Sequence, residues 1–483
     1  MPSKVFSRRE GGDMARHWAL GRLPFRLDRG GTDRRATPRT RAAIGARSGA
    51  RSVLVVALAL GVLVPLGSVA AAGPQATRTV DASPQAIMDW SLVAQNSIVV
   101  VGKKFPGEGA VLMGIVHAAI YDATVAVDGG FRPYAVSVHA PGHTSLAAAV
   151  ASAAHGVLVG LFPDQQAGDT GLDATYAAYI AGIPDGRAKA GGIAVGERVA
   201  AGILRLRADD GRNTVVPYVQ APPGPGVYEP TGPIVLGTNL PQVRPLVLGA
   251  AAQFRPPGPP SLTSRRYARD FNEVARLGRA DSAVRTPEQT DTALFWTDND
   301  IAQWNRGMLR LATREGLDAV HTARMLALAH LAGGDAMIAC FDAKYHYRFW
   351  RPIHAITRAD TDSNPATAPD PTWTPLRTTP PFPEYPSAHA CHSGALATVL
   401  AALFGPGRVD FALDSLVTGQ TRSYPRFADV PREVNDARVW AGFHFRSSDV
   451  AGSILGKRVG GFVLAHALQR CRTSSTVRGR EIN

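Results

Sequence analysis

Three short segments in the second half of the chain gather side chains suited to holding a small oxyanion. The first is Lys344-Tyr345-His346-Tyr347-Arg348-Phe349-Trp350-Arg351-Pro352. Lys344 and Arg351 are seven residues apart, so on a helix they share a face with their roots about 10.5 Å apart along the axis. Two long cationic arms at that spacing can close on one anion, and Pro352 is expected to end or kink the helix. The second is Pro383-Glu384-Tyr385-Pro386-Ser387-Ala388-His389, which opens a helix expected over 387–404. Ser387 stands at its N-cap, where the first N–H groups lack intrahelical partners and the dipole favours an anion. His389 falls in the first turn, a place that favours a neutral imidazole able to give and take a proton. The third runs from Arg438 through Gly442 and His444 to Asp449. A straight helix would turn Arg438 and His444 about 120° apart, but Gly442 lets the chain turn so that both face one point.

Each segment alone reads equally well as an ordinary feature: a solvated basic face, a capped helix with a surface histidine, a glycine turn. Together, three cations, a helix N-terminus and two histidines make a site for a tetrahedral oxyanion. One histidine can bond the central atom while the other moves protons. A zinc site built from His346, His389, His392 and His444 is disfavoured, because the lysine and arginines would repel a cation. His117, on an apolar helix, reads as a core histidine.

In this order, K-x6-R-P, P-S-A-H and R-x3-G-x-H resemble the three-part signature of the vanadium-dependent haloperoxidase and type 2 phosphatidic acid phosphatase superfamily. The phrases Phe349-Trp350-Arg351-Pro352, Pro380-Pro381-Phe382-Pro383-Glu384-Tyr385-Pro386-Ser387 and Val116-His117-Ala118-Ala119-Ile120-Tyr121-Asp122-Ala123 are similar to its bacterial haloperoxidase branch. The resemblance implies an all-α fold of helical bundles of the haloperoxidase and acid phosphatase type, with vanadate as cofactor and phosphate able to take the same site. It assigns the oxyanion's oxygens to Lys344, Arg351, Arg438, Ser387 and the Ala388 N–H. It makes His444 the residue bonded to vanadium or phosphorus, and His389 the acid–base opposite. Lys344 would hydrogen-bond and polarise peroxide, with halide leaving as hypohalous acid. Trp350 and Phe382 stand where halide-side aromatics are expected. Asp298 is a candidate partner of Arg438, and Asp449 a candidate outer partner of the site, although it lies five residues beyond His444. Ala388 replaces the glycine of the best-known members, so a positive φ there would be strained. The implied partners are hydrogen peroxide and a halide, with a small organic substrate and the oligomeric state left open. A phosphate-ester hydrolase working through a phospho-histidine shares this clamp, since bound vanadate resembles the phosphoryl-transfer transition state. A non-catalytic exported protein that only binds an oxyanion is a third reading.

The elements that must position these residues read as helical. Apolar residues recur at helical spacing over 84–101, 109–127, 144–162, 171–183 and 187–208, with Gly211 expected in a C-cap role. Twelve prolines fall between Pro217 and Pro260, a density that breaks helix and central strand alike. That stretch is expected to be an extended connection over the surface between two helical halves. Thr286-Pro287-Glu288-Gln289 carries a capping-box signature. A long apolar-periodic helix is expected over 317–343, and another amphipathic segment over 449–470. The expected organisation is a leader 1–72, an N-terminal helical region 73–215, the connection 216–262, a catalytic bundle 263–472 and a tail 473–483.

The chain has 483 residues and a formal charge of +13. Lys4 and twelve arginines against four carboxylates in residues 1–51 account for nine of those charges, so the remainder is ordinary for a soluble domain and a nucleic-acid module is disfavoured. Residues 53–66 form an uncharged apolar run followed by small residues, the pattern of a secretory signal peptide cleaved near Gly73. A membrane anchor is the alternative; after cleavage no stable span is expected. In an exported protein an odd number of cysteines, three here, leaves one unpaired, and a bridge between Cys340 and Cys391 is open.

Overall fold

The computed structural model describes residues 83–471; the leader with its cleavage point, and the tail 473–483, lie outside the described residues. Helices α1 (Gln85–Gln95, continued by a wider turn to Val101), α2 (Pro106–Asp128), α3 (Leu146–Leu161), α4 (Leu172–Ala181) and α5 (Arg187–Leu206) precede the proline-rich connection. After it come α6 (Arg265–Leu277), α7 (Pro287–Phe295), α8 (Asp300–Arg314), α9 (Ala319–Tyr347), α10 (Pro352–Thr357) and α11 (Ala388–Phe404). The hairpin β1 (Phe411–Asp414) and β2 (Thr421–Tyr424), then α12 (Asp429–Trp440) and α13 (Arg446–His466), complete the order. The fold is thus all-α, with one antiparallel two-stranded hairpin among the described residues. The five first-half helices and the capping box at Thr286 form where their spacing predicts. The glycine stop after α5 does not: Arg207 caps that helix and Gly211 serves a later turn at φ +86°.

Two helices form the centre. α2 and α9 are apolar all round and pack along each other, as a helix must when no face suits water. Each is long and apolar enough to cross a bilayer, yet 89% and 94% of their most apolar stretches lie inside the fold. α3 and α5 cover α2, while α11 and α13 cover α9. One continuous apolar cluster runs from Ala86 to Leu468, so both halves of the sequence share a core.

A repeated device ties loops to this centre. Asp122, buried in α2, accepts the N–H groups of Tyr134, Ala135 and Val136. Asp335, buried in α9, accepts those of Leu246, Val247 and Leu248. Burial pushes each carboxyl up to about 6, against the opposing pull of three N–H dipoles. The proline-rich connection runs over the surface for most of its length, as expected, but is pinned inward at points, with Tyr228, Leu240 and Val243 buried.

The connection also reshapes the first motif. α9 stops at Tyr347 because Arg348 turns left-handed at φ 46°. Phe349 then bridges the connection at Val227: Tyr228 N–H donates to Arg348 O and Trp350 N–H to Gly226 O. Lys344 and Arg351 consequently do not share one helix. Pro352 does not end a helix but begins one, at the first position of α10, with Arg351 as N-cap, a place where the missing N–H costs nothing.

α11 and α13 approach closely enough that a Cβ on Gly456 would overlap the Cys391 carbonyl and lie 2.8 Å from Ala395 N. Because the obstacle is backbone, it cannot swing aside. Gly456→Ala is expected to lower stability by about 3 kcal/mol, read as an earlier denaturant midpoint, whereas Gly461→Ala, in the same helix but meeting open space, should raise it by up to about 1 kcal/mol.

Candidate active site

Five chain segments bring the cations and histidines to one buried place. Lys344 comes from the last turn of α9, Arg351 from the N-cap of α10, Ser387 and His389 from the start of α11, Arg438 from the end of α12, and His444 from the turn between α12 and α13. Gly442 adopts φ +80° in that turn and lies against the Gly278 carbonyl and Pro375, with no room for a side chain. Lys344, Arg351 and Ser387 are wholly buried, and Arg438 and His444 nearly so. His389 and Phe382 are the partly exposed members and mark the mouth.

Each cation is half-satisfied by backbone. Lys344 Nζ donates to Pro383 O at 2.8 Å and Glu384 O at 3.0 Å. Arg351 donates from Nε to Phe382 O and from Nη1 to Phe443 O, with His444 Nε2 3.2 Å from Nη1. Arg438 Nη1 donates to Trp296 O. What is left over is informative: Arg351 Nη2, Arg438 Nε, Ser387 Oγ and His389 Nε2 are buried without a hydrogen-bond partner. Ser387 is the N-cap of α11, yet its hydroxyl caps nothing. Burial lowers Lys344 to about 8, and Arg351 and Arg438 to about 10. Buried donors with unspent capacity and surplus positive charge fit a ligand that only accepts hydrogen bonds and is negative. The residues present therefore fit vanadate or phosphate.

The two histidines sit differently. His444 Nε2 faces the Arg351 guanidinium, which can only donate, so Nε2 carries the lone pair and Nδ1 the proton. Nδ1–H donates to Glu384 Oε1 at 2.9 Å. The other interactions of Glu384 hold it still: Phe445 N–H donates to Oε1, and Ser448 Oγ–H to Oε2 at 2.6 Å. Burial pushes Glu384 up to about 7, opposed by Ser448 and by Arg351 and Lys344, and the same burial with the surrounding cations holds His444 well below its ordinary value. His389 is lowered to about 3 by burial and then Arg438, so it is neutral and able to accept a proton.

The carboxylates and aromatics around the site differ from expectation. Asp298 does not pair with Arg438; it binds Arg306 at 2.9 Å and the Leu416 N–H, and only its backbone carbonyl adjoins His389. The carboxylate acting on His389, His392 and Arg438 is Asp300, buried at the start of α8 with Oδ2 3.1 Å from His392 Nδ1. Burial alone would raise Asp300, but the adjoining imidazoles of His389 and His392 and the Arg438 guanidinium hold it at about 2. His392 is therefore an interior residue, while His346 is exposed. Asp449 is buried beside Ser387 and Arg438, and burial holds its carboxyl well above the ordinary range. Ala388 takes an ordinary helical φ, so no strain arises there. Trp350 is not at the rim; its ring packs in a second core with Tyr267, Phe271 and Phe445. Phe382 is at the site, its ring 5.1 Å from Lys344 Nζ and 5.0 Å from Arg351 Cζ. His117 is a core histidine, stacked on His330 at 4.4 Å and bonded to Ser91.

Glu384 and Asp300 are the site residues that spacing alone misses. The signal for Glu384 was its place as the one acidic residue between Asp370 and Asp410, immediately before the P-S-A-H motif. Glu384→Leu is expected to free the His444 tautomer and weaken vanadate binding by about 10–100-fold, read by nitrogen NMR of the imidazole and by vanadate titration. Lys344 gives a second test, with sulfate, whose charge is constant over the range. The ammonium is present below about pH 8 and lost above it, and Glu384, pushed up to about 7, gains its negative charge over a lower range; sulfate affinity should therefore fall in two steps as pH rises, and Lys344→Met should remove the upper one.

Residues 324–473 match the family model of the VCPO second helical-bundle domain. Vanadium chloroperoxidase of Curvularia inaequalis is 28% identical over 185 residues, covering 31% of this chain and 30% of the length of that protein. The solved structure of a bacterial vanadium-dependent iodoperoxidase superposes with a TM-score of 0.68 at 23% identity, over 82% of this chain and 99% of that one. That of an apo-type bacterial vanadium-dependent chloroperoxidase gives 0.56 at 16% identity, over 82% and 96%. Residues 324–473 are therefore similar to the VCPO second helical-bundle domain, within a chain that shares the fold of the solved vanadium-dependent haloperoxidases.

Proposed function

We propose that this protein is a vanadate-dependent haloperoxidase, oxidising a halide with hydrogen peroxide to a hypohalous-acid equivalent. The observation that carries the reading is the set of buried, unpartnered polar groups on Arg351, Ser387, His389 and Arg438 around the His444 lone pair. Lys344, Arg351, Arg438, Ser387 and the Ala388 N–H would hold the oxygens, and His444 Nε2 would bind the central atom. Bound vanadate would supply a Lewis acid that activates peroxide without itself changing oxidation state. His389, neutral at the mouth, accepts a proton from incoming hydrogen peroxide and returns it to the oxygen that leaves as water. Lys344 donates a hydrogen bond toward the oxygen that the halide takes. Overall, peroxide, halide and one proton become hypohalous acid and water.

Phe382 favours this reading over phosphate-ester hydrolysis. Its ring walls the site beside both cations, a surface that suits a weakly hydrated halide better than a doubly charged phosphomonoester. The similar proteins, a chloroperoxidase and an iodoperoxidase, agree with it. Export, read from the apolar run at 53–66, belongs to the same proposal.

The test is halide oxidation by vanadate-reconstituted protein beside phosphate-ester hydrolysis by the vanadate-free form. Halide oxidation without hydrolysis is expected; hydrolysis alone overturns the reading. His389→Ala should keep vanadate bound but slow oxidation by about 10²–10⁴-fold. His444→Ala should lose tight binding, leaving weak retention by the three cations.

A further inference from the structure

The thiols of Cys340 and Cys391 are not used by the proposed chemistry, yet they lie against the machinery that is. Cys340 sits in α9 one turn before Lys344, and Cys391 in α11 two residues after His389. Both side chains are wholly buried, and the two sulfurs are 2.7 Å apart. A covalent S–S bond is about 2.05 Å, so only a small closing movement separates the pair from a bridge. No helix need slide, because α9 and α11 already pack together here. The third cysteine, Cys471, is exposed.

We propose that Cys340–Cys391 is a peroxide-closed cross-link tying α9 to α11 directly behind the oxyanion site. One sulfur attacks a peroxide oxygen; an S–O bond forms, the O–O bond breaks, and a sulfenic acid and one water result. The second sulfur then attacks the first; the S–S bond forms, the S–O bond breaks, and a second water leaves with the remaining thiol proton. Two thiols and one hydrogen peroxide thus give one disulfide and two waters. The neighbouring sulfur intercepts the sulfenic acid before further peroxide can take it to the irreversible acids. The bridge joins residues 51 apart in sequence. It fixes the end of α9 that carries Lys344 to the start of α11 that carries Ser387 and His389. It also removes the two oxidisable thiols nearest a place where an oxidant is handled.

The experiment uses the full chain, free of vanadate and halide, so that its result is independent of the proposed oxidation. Reduced protein is treated with hydrogen peroxide, quenched with catalase, denatured, alkylated and mapped by mass spectrometry. The expected result is a cross-linked peptide pair containing Cys340 and Cys391, lighter than the two thiol peptides by two hydrogens, with Cys471 outside it. Reduction should lower the melting temperature by about 5 °C, a shift absent from the Cys340→Ala/Cys391→Ala double variant. Recovery of both residues as alkylated thiols, or as separate sulfinic or sulfonic acids, overturns the proposal. Should the double variant fail to fold, the wild-type peptide map alone decides.

Discussion

Three cations held out of water around one point is the constraint on which the rest of this structure depends. An isolated buried charge is costly and is tolerated only when paired or well hydrogen-bonded. Here the carbonyls of Phe382, Pro383, Glu384, Phe443 and Trp296 take up part of the donor capacity of Lys344, Arg351 and Arg438. Those carbonyls come from loops that must therefore lie in irregular, non-helical conformations close to the site. The prolines and the left-handed turn at Arg348 serve this end. They keep carbonyl groups out of helices and available to the cations.

The same constraint explains why acidic groups near the site are few and unequal. Asp300 stays ionised because histidines and Arg438 surround it, whereas burial holds Asp449 toward its neutral form. Glu384 lies between these, bonded to His444 and to Ser448. Full neutralisation by three carboxylates would fill the site with acceptors and leave nothing for an oxyanion to bind. The arrangement instead keeps a deficit of negative charge at the centre.

Much of this was legible in the sequence where the governing rule is local. The Thr286 capping box, the start of α11 at Ser387 and the glycine turn before His444 each depend on a handful of adjacent residues, and each forms as its pattern predicts. That Lys344, Arg351, Ser387, His389, Arg438 and His444 gather in one place was suggested by motif order rather than by geometry. The geometry assigned to Lys344 and Arg351 failed because the break at Arg348 is imposed by residues 226–228, more than a hundred positions earlier. Glu384 and His444 meet across 60 positions, and a single sequence carries no record of such a pairing. The expected pairing of Asp298 with Arg438 fails for the same reason: which carboxylate of this stretch faces the site is set only when the helix it introduces is placed, and that one is Asp300.

The idle hydroxyl of Ser387 has a further consequence. A helix whose N-cap side chain makes no bond forgoes about 1 kcal/mol of ordinary stabilisation, and the first turn of α11 carries that deficit inside the protein. An oxyanion bound there as proposed would supply the acceptor that the serine does not, and would finish the secondary structure that binds it. Helix and guest would then be one thermodynamic unit. At an anion concentration a hundred times its dissociation constant, folding would gain about 2.7 kcal/mol by mass action, so the first turn of α11 would be completed by what the chain captures.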